Sequence, residues 1–181
     1  RQASVEIISE KGITGSSVAS IAKRAQVSAG YLYRHYPSKE DLVNDLLNDS
    51  LHTIAEKIDE LIQQNDRIEN IVEGIIGFIL ESANTNPHRI KFVIMLLNDF
   101  SIPNKPSVRE QIIRIGETLI EKGRESGSIR NEITVEDFYI ALVGIPLQYL
   151  ATRFRFDFGP HDCNLDAETR KITELSMCAI K

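Results

Sequence analysis

The sequence predicts an all-α protein, with a small three-helix unit at the N-terminus followed by a larger helical body. Two observations carry this. Apolar residues recur at helical spacing, as in Leu42, Leu46, Leu47, Ile54, Ile58 and Leu61, and no segment alternates long enough to be a sustained strand. Turn and cap residues (Gly12, Ser17, Pro37-Ser38, Asp66, Asn86-Pro87, Gly127, Thr134, Asp166) separate the periodic segments and mark about nine helices.

Element by element, the first helix contains Ala3, Val5, Ile7 and Ile8 and stops at Gly12. Ser16 or Ser17 caps a second from Val18 to Ala25. A third runs from Ala29 to Tyr36 and ends before Pro37. Ser38, followed by Glu40 and Asp41, opens a long helix reaching Gln64. Asp66 and Glu69 have capping-box spacing ahead of Ile68, Ile71, Val72, Ile75, Ile76, Ile79 and Leu80, which carry a helix to Thr85. Asn86-Pro87 starts a segment to Asp99 that is apolar nearly all round, as a buried central helix would be. After Pro103 and Pro106 an amphipathic helix spans Val108 to Arg124. Thr134 caps the next, where Pro146 predicts a kink. Asp166 is the expected cap of a last helix reaching Ile180, in which Cys178 is expected as a small buried hydrophobe.

Composition bounds the function. Of 181 residues, 42% are apolar and 26% charged, which fits a globular domain and argues against whole-chain disorder or a rod. The longest apolar run, Phe92 to Leu97, is too short to span a bilayer. No secretory leader is visible, and Cys163 and Cys178 make no disulfide framework, so a cytoplasmic location without membrane attachment is expected. The net charge of −5 speaks against a polyanion partner, but its distribution reverses this. Residues 1–39 hold six basic and two acidic groups; the rest holds 15 basic and 24 acidic. A basic head on an acidic body suits a module that touches nucleic acid with one end.

Residues 17–36 have helix-turn-helix spacing. Ile21, Ala22, Val27, Leu32 and Tyr36 fall on the inward side of two crossing helices, and the small Ala22 permits a close crossing. A helical wheel set on Leu32 turns Gly30, Tyr31, Tyr33 and Arg34 outward. So short a helix exposing such residues reads as a recognition helix for the major groove. Gly30 would let the backbone approach the duplex. Ser28 and Tyr31 would reach base edges or thymine methyls. Tyr33, His35 and Lys39 would meet phosphates, and Ser17 the flanking backbone. Ala29 and Arg34 complete the face.

From Gly12 to Leu42, the residues Ser17-Val18, Ile21-Ala22, Val27-Ser28, Gly30, Leu32-Tyr33-Arg34-His35-Tyr36 and Ser38-Lys39-Glu40-Asp41-Leu42 stand in one register that resembles the DNA-binding head of the TetR family. The resemblance implies a homodimeric transcriptional regulator, usually a repressor. Residues 1–40 would bind operator DNA, and residues 41–181 would hold a small-molecule effector and dimerise through the last two helices. Two features depart from the family pattern. Gln26 stands at the turn position that usually carries glycine, and a left-handed backbone there is costly for glutamine. The first helix also lacks its opening turn and a basic arm, so residues preceding Arg1 are expected.

In the body, Phe78, Phe92, Met95, Phe100, Tyr149 and Phe154 are candidates for lining the effector pocket, which would suit a hydrophobic or aromatic ligand; core packing accounts for the same residues. Lys23 and Arg24 sit behind the recognition helix and are expected in solvent. His161-Asp162-Cys163 cannot converge on one ion, so no metal site is expected. Gly12 to Ser17 lacks the Gly-Lys-Ser/Thr ending of a phosphate loop, and the chain has no Gly-x-Ser-x-Gly, His-Glu-x-x-His or Cys-x-x-Cys pattern. Neither catalysis nor a cofactor is expected. The competing reading is a helical protein-interaction module that kept the head fold and lost DNA binding.

Overall fold

Serine hydroxyls open three of the four helices that build the head in a computed structural model of the protein, which describes residues 1–99, 106–156 and 164–181. α1 (Gln2–Gly15) is broken at Gly12, whose φ of 77° ends the regular run where the sequence predicts. α2 (Val18–Arg24) begins at Ser17, whose hydroxyl accepts the Ser20 N–H while the Ser20 hydroxyl accepts the Ser17 N–H. Ser28 caps α3 (Ala29–His35) and Ser38 caps α4 (Lys39–Gln64), their hydroxyls accepting the N–H groups of Tyr31 and Asp41. Between α2 and α3, Gln26 has a φ of 57°. Its N–H donates to the Lys23 carbonyl and the Val27 N–H to the Ala22 carbonyl, the paired closure that a left-handed residue makes possible. The turn thus forms without glycine.

The body comprises α5 (Ile68–Thr85), α6 (Pro87–Asn98), α7 (Pro106–Glu125), α8 (Val135–Tyr139), α9 (Ile145–Phe156) and α10 (Leu165–Ile180). α8 and α9 are joined by a π-helical turn over Ile140–Gly144. Counted as one interrupted helix, they bring the described residues to nine helices and no strand. Pro146 accounts for the π turn. Lacking an N–H, it leaves the Leu142 carbonyl without its usual partner, and the backbone widens so that the Ile145 N–H reaches Ile140. The proline expected to kink this helix is therefore absorbed by a wide turn beside it.

Two clusters of buried side chains divide the interior. The first joins α1, α2 and α3 through Ile8, Ile21 and Leu32, and also takes Leu42, Val43 and Leu46 from α4 and Phe92 from α6. The second lies among α4, α5 and the later helices around Ile71, Ile76, Leu80, Phe138 and Leu150. α4 serves both cores. The packing of the head therefore reaches past residue 40.

Several expectations are corrected. Arg67, not Asp66, occupies the α5 cap position, without a side-chain bond. Asn164 rather than Asp166 caps α10, accepting the Asp166 N–H at 3.1 Å. Val27 is exposed, because the left-handed turn at Gln26 lifts it off the crossing. Cys178 is exposed, since Ile172, Met177 and Ile180 take the inward side of α10. α6 is not buried all round: only Ile90 and Phe92 are, because its other apolar residues border the head and an internal cavity.

Candidate nucleic-acid interface and effector cavity

α3 presents the face that the wheel assigns to solvent. Leu32 is its one buried residue, while Gly30, Tyr31, Tyr33, Arg34 and His35 are all exposed and Ala29 is half-buried. Tyr31 and Tyr33 are 49% and 53% exposed, values too high for core residues in a helix of this size. Tyr31 and His35, one turn apart, hold their rings 4.7 Å centroid to centroid, so the two side chains form a single shaped surface. A Cβ added at Gly30 would meet nothing within 4 Å. The small residue there is not demanded by the packing of the chain itself. Tyr36 points back, its hydroxyl donating to Asp45 Oδ2 at 3.0 Å.

Three other positions have duties inside the head. Ser17 and Ser28 accept backbone N–H bonds as caps and are exposed besides. The Lys39 ammonium donates to the carbonyls of Ile13 at 2.9 Å and Ser16 at 3.4 Å, tying the end of α1 to the start of α4. It is half-buried, and serves as a brace within the head. Arg24 is paired with Glu6 and Glu10 of α1, and Lys23 is exposed behind the reading face.

The body holds a partly open cavity of about 440 Å³ lined by α4 through α9. Its walls are Leu47, Leu51, Ile54 and Ile58 of α4, Phe78 of α5, Val93 of α6, Ile112 of α7, and Phe138, Leu142 and Val143 around the π turn, among other apolar residues. Polar groups are few: Ser50, Thr53, Ser82, Arg89, Asp99 and Tyr139. Burial pushes the Tyr139 phenol pKa up, so the group stays a neutral donor. Arg89 donates to Thr53 Oγ1 at 2.8 Å, linking α6 to α4.

Of the described residues proposed for a pocket, only Phe78 borders this cavity. Phe92 is fully buried in the head core, where Met95 also packs. Tyr149 turns to Glu168, donating its hydroxyl at 2.8 Å. Phe154 is exposed, with Lys91 Nζ 5.0 Å from its ring centre. Phe100 lies outside the described residues, as does the segment His161 to Cys163. Aromatic content was the wrong guide. The wall is mainly aliphatic, and its signal in the sequence is the surplus of Leu47, Leu51 and Ile54 on an α4 face that Ser50 and Thr53 interrupt. Among the described residues no cluster of potential metal ligands occurs, and no helix is long and apolar enough to cross a membrane.

A helix-turn-helix head with an outward recognition helix, set on a helical body with an internal cavity, defines a DNA-binding transcriptional regulator. Residues 1–46 match the family model for bacterial regulatory proteins, tetR family. Over these residues the chain is similar to the TetR family. Among curated relatives, it is 26% identical to the fatty acid metabolism regulator protein of Bacillus subtilis over 137 residues, 74% of this chain and 70% of that one. It is 25% identical over 154 residues to the HTH-type transcriptional repressor DhaR of a Mycobacterium species, covering 75% and 72%. The crystal structure of FadR from Bacillus subtilis in complex with stearoyl-CoA superimposes with a TM-score of 0.78 at 22% identity, over 99% of this chain and 96% of that one. That last likeness is one of fold.

Proposed function

We propose that the chain is a cytoplasmic homodimeric repressor, with residues 1–40 as operator-binding head and residues 41–181 as effector-binding and dimerisation body. Each protomer places α3 in a major groove of a near-palindromic operator, with half-sites about 34–36 Å apart or somewhat more. Gly30, Tyr31 and Ser28 approach the bases, while Tyr33, Arg34 and His35 face the backbone. The last two helices form the dimer interface; exposed Leu175 on α10 and Ile140 in the π turn supply apolar surface for it. The chain performs no catalysis in this reading.

The observation that carries the effector half is the position of the cavity. Its wall includes Leu47 to Ile58 of α4, whose earlier turns, at Leu42, Val43 and Leu46, are part of the head core. A ligand filling the cavity therefore presses on the same rigid helix that seats the head. Release requires that it favour one head spacing over the other, and α4 moving as a lever supplies that difference. An aliphatic wall with few polar groups suits a long apolar chain, such as the acyl chain of the stearoyl-CoA bound in the FadR structure.

Selection of bound duplexes from a random library at two salt concentrations tests the DNA half. Recovery of a palindrome that is lost at high salt supports it, and recovery of none favours the interaction-module reading. That alternative leaned on the short first helix and on Gln26, of which Gln26 takes the left-handed conformation of the turn. A gel shift on the recovered operator with stearoyl-CoA tests the effector half: loss of the complex is expected, and an unchanged complex rejects an acyl-chain effector.

A further inference from the structure

The cavity lining holds one cation among the described residues, Arg89 in the first turn of α6. This is an unfavourable place for a positive charge, because the helix dipole is positive there. Its contacts run through a single nitrogen: Nη2 donates to Thr53 Oγ1 at 2.8 Å and to the Asp49 carbonyl at 3.3 Å, and lies 3.8 Å from Asp49 Oδ2. A guanidinium has five N–H donors. The Nη1 and Nε groups have no hydrogen-bond partner among the described residues. Asp99, the other charged residue of the lining, follows the far end of α6, ten residues and about 15 Å along the helix from Arg89.

Asp49 faces two ways. Its Oδ1 accepts from Arg1 Nη1 at 2.6 Å, Arg1 Nη2 lies 2.9 Å from Asp45 Oδ2, and that oxygen also accepts the Tyr36 hydroxyl at the end of α3. An unbroken series of polar contacts thus runs from Arg89 in the cavity wall to the residue that closes the recognition helix.

We propose that Arg89 receives an anionic oxygen group of the effector, a carboxylate or phosphate, through the N–H groups of Nη1 and Nε, and that the accompanying withdrawal from Asp49 signals occupancy to the head. The proposal rests on the effector reading above and adds the polar half of the ligand to it. Each two-donor edge of a guanidinium includes Nη2, so a first charge-assisted bond forms at Nη1 or Nε, and the bidentate grip on a planar anion follows as Nη2 leaves Asp49. Once Arg89 turns to the ligand, Asp49 is left to Arg1 alone, and the bond between α4 and α6 opens. Spatial continuity does not establish coupling, so the test separates binding from release.

The probes are oleate and oleyl alcohol, which share a chain and differ in charge, used below the concentration at which they aggregate. Calorimetric titration of the wild type is expected to show oleate binding about tenfold or more tighter than the alcohol, the effect of a charge-assisted bond. Arg89→Gln should remove that preference and leave alcohol affinity unchanged, with Arg89→Lys intermediate because it keeps charge without the fork. Asp49→Asn should bind oleate nearly as wild type but release operator DNA less completely when oleate is added. Circular dichroism melts confirm that each variant is folded. Equal affinity for the two probes in the wild type overturns the assignment while leaving an apolar effector in place. So does an Arg89→Gln protein that keeps the preference, or an Asp49→Asn protein with full release. Binding of neither probe overturns both the assignment and the acyl-chain effector.

Discussion

His88 Nδ1 lies 2.7 Å from Ser9 Oγ, joining the first turn of α6 to the middle of α1. The Ser9 hydroxyl donates to the Glu6 carbonyl at 2.8 Å, so its remaining role toward the imidazole is that of acceptor, and His88 Nδ1 donates. This bond lies beside Phe92, which enters the head core from the same helix. Head and body are therefore fastened by α6 as well as by the covalent run of α4. Ser9→Ala and His88→Gln should each lower stability by about 1 kcal/mol, a shift in melting temperature of about 2–4 °C. The double variant should cost little more than either single one, because both remove the same bond. Urea denaturation checks this, and strictly additive losses would show that the contact contributes nothing.

Two glycines separate a functional from a packing requirement. At Gly30 an added Cβ meets nothing, and alanine is the better helix former, so Gly30→Ala should melt at or above the wild-type temperature. If α3 lies against DNA as proposed, the same change should weaken operator binding by about tenfold or more. At Gly74 the Cβ would stand 2.5 Å from Leu61 Cδ2, and Leu61 is buried. Gly74→Ala should cost about 1–3 kcal/mol with no direct effect on DNA contacts. Melting curves and gel shifts on both variants decide the matter; tight operator binding by Gly30→Ala would remove close backbone approach from the reading.

The turn between α2 and α3 holds strain at Gln26. Gln26→Gly should raise stability by about 0.5–1 kcal/mol, since relief of the left-handed penalty exceeds the entropy that glycine loses on folding. Gln26→Val should lower it, because a branched side chain tolerates that conformation worst. Both follow from chemical denaturation of the full chain.

Arg34 and Lys39 are both cations of the head but should behave differently. Arg34→Ala removes an exposed charge, so operator affinity should fall and the salt dependence flatten by about one unit, with no loss of stability. Lys39→Ala removes the ammonium from the Ile13 and Ser16 carbonyls and should destabilise the head by about 1–2 kcal/mol as well. Affinity measured across a salt series, with melting curves alongside, separates them. A Lys39→Ala protein that melts like the wild type would restore Lys39 as a simple phosphate contact.

The sequence by itself determined the helices, the helix-turn-helix register and the outward face of α3. Those depend on spacing along one helix and on local caps such as Ser17, Ser28 and Ser38, and a 3.6-residue period is written in the order of residues. Even the left-handed Gln26 was legible through the family resemblance, which puts it at the turn position that glycine usually fills. The tertiary structure alone decided where the cavity lies and what lines it. Phe92 and Phe78 look alike as apolar residues on a helix, yet one closes the head core and the other borders the void, a difference made by which helix packs opposite. The same holds for Lys39 and Arg89. A long flexible cation has no preferred partner until distant carbonyls or carboxylates are brought within reach, so only the folded chain assigns the first to a brace and the second to the cavity wall.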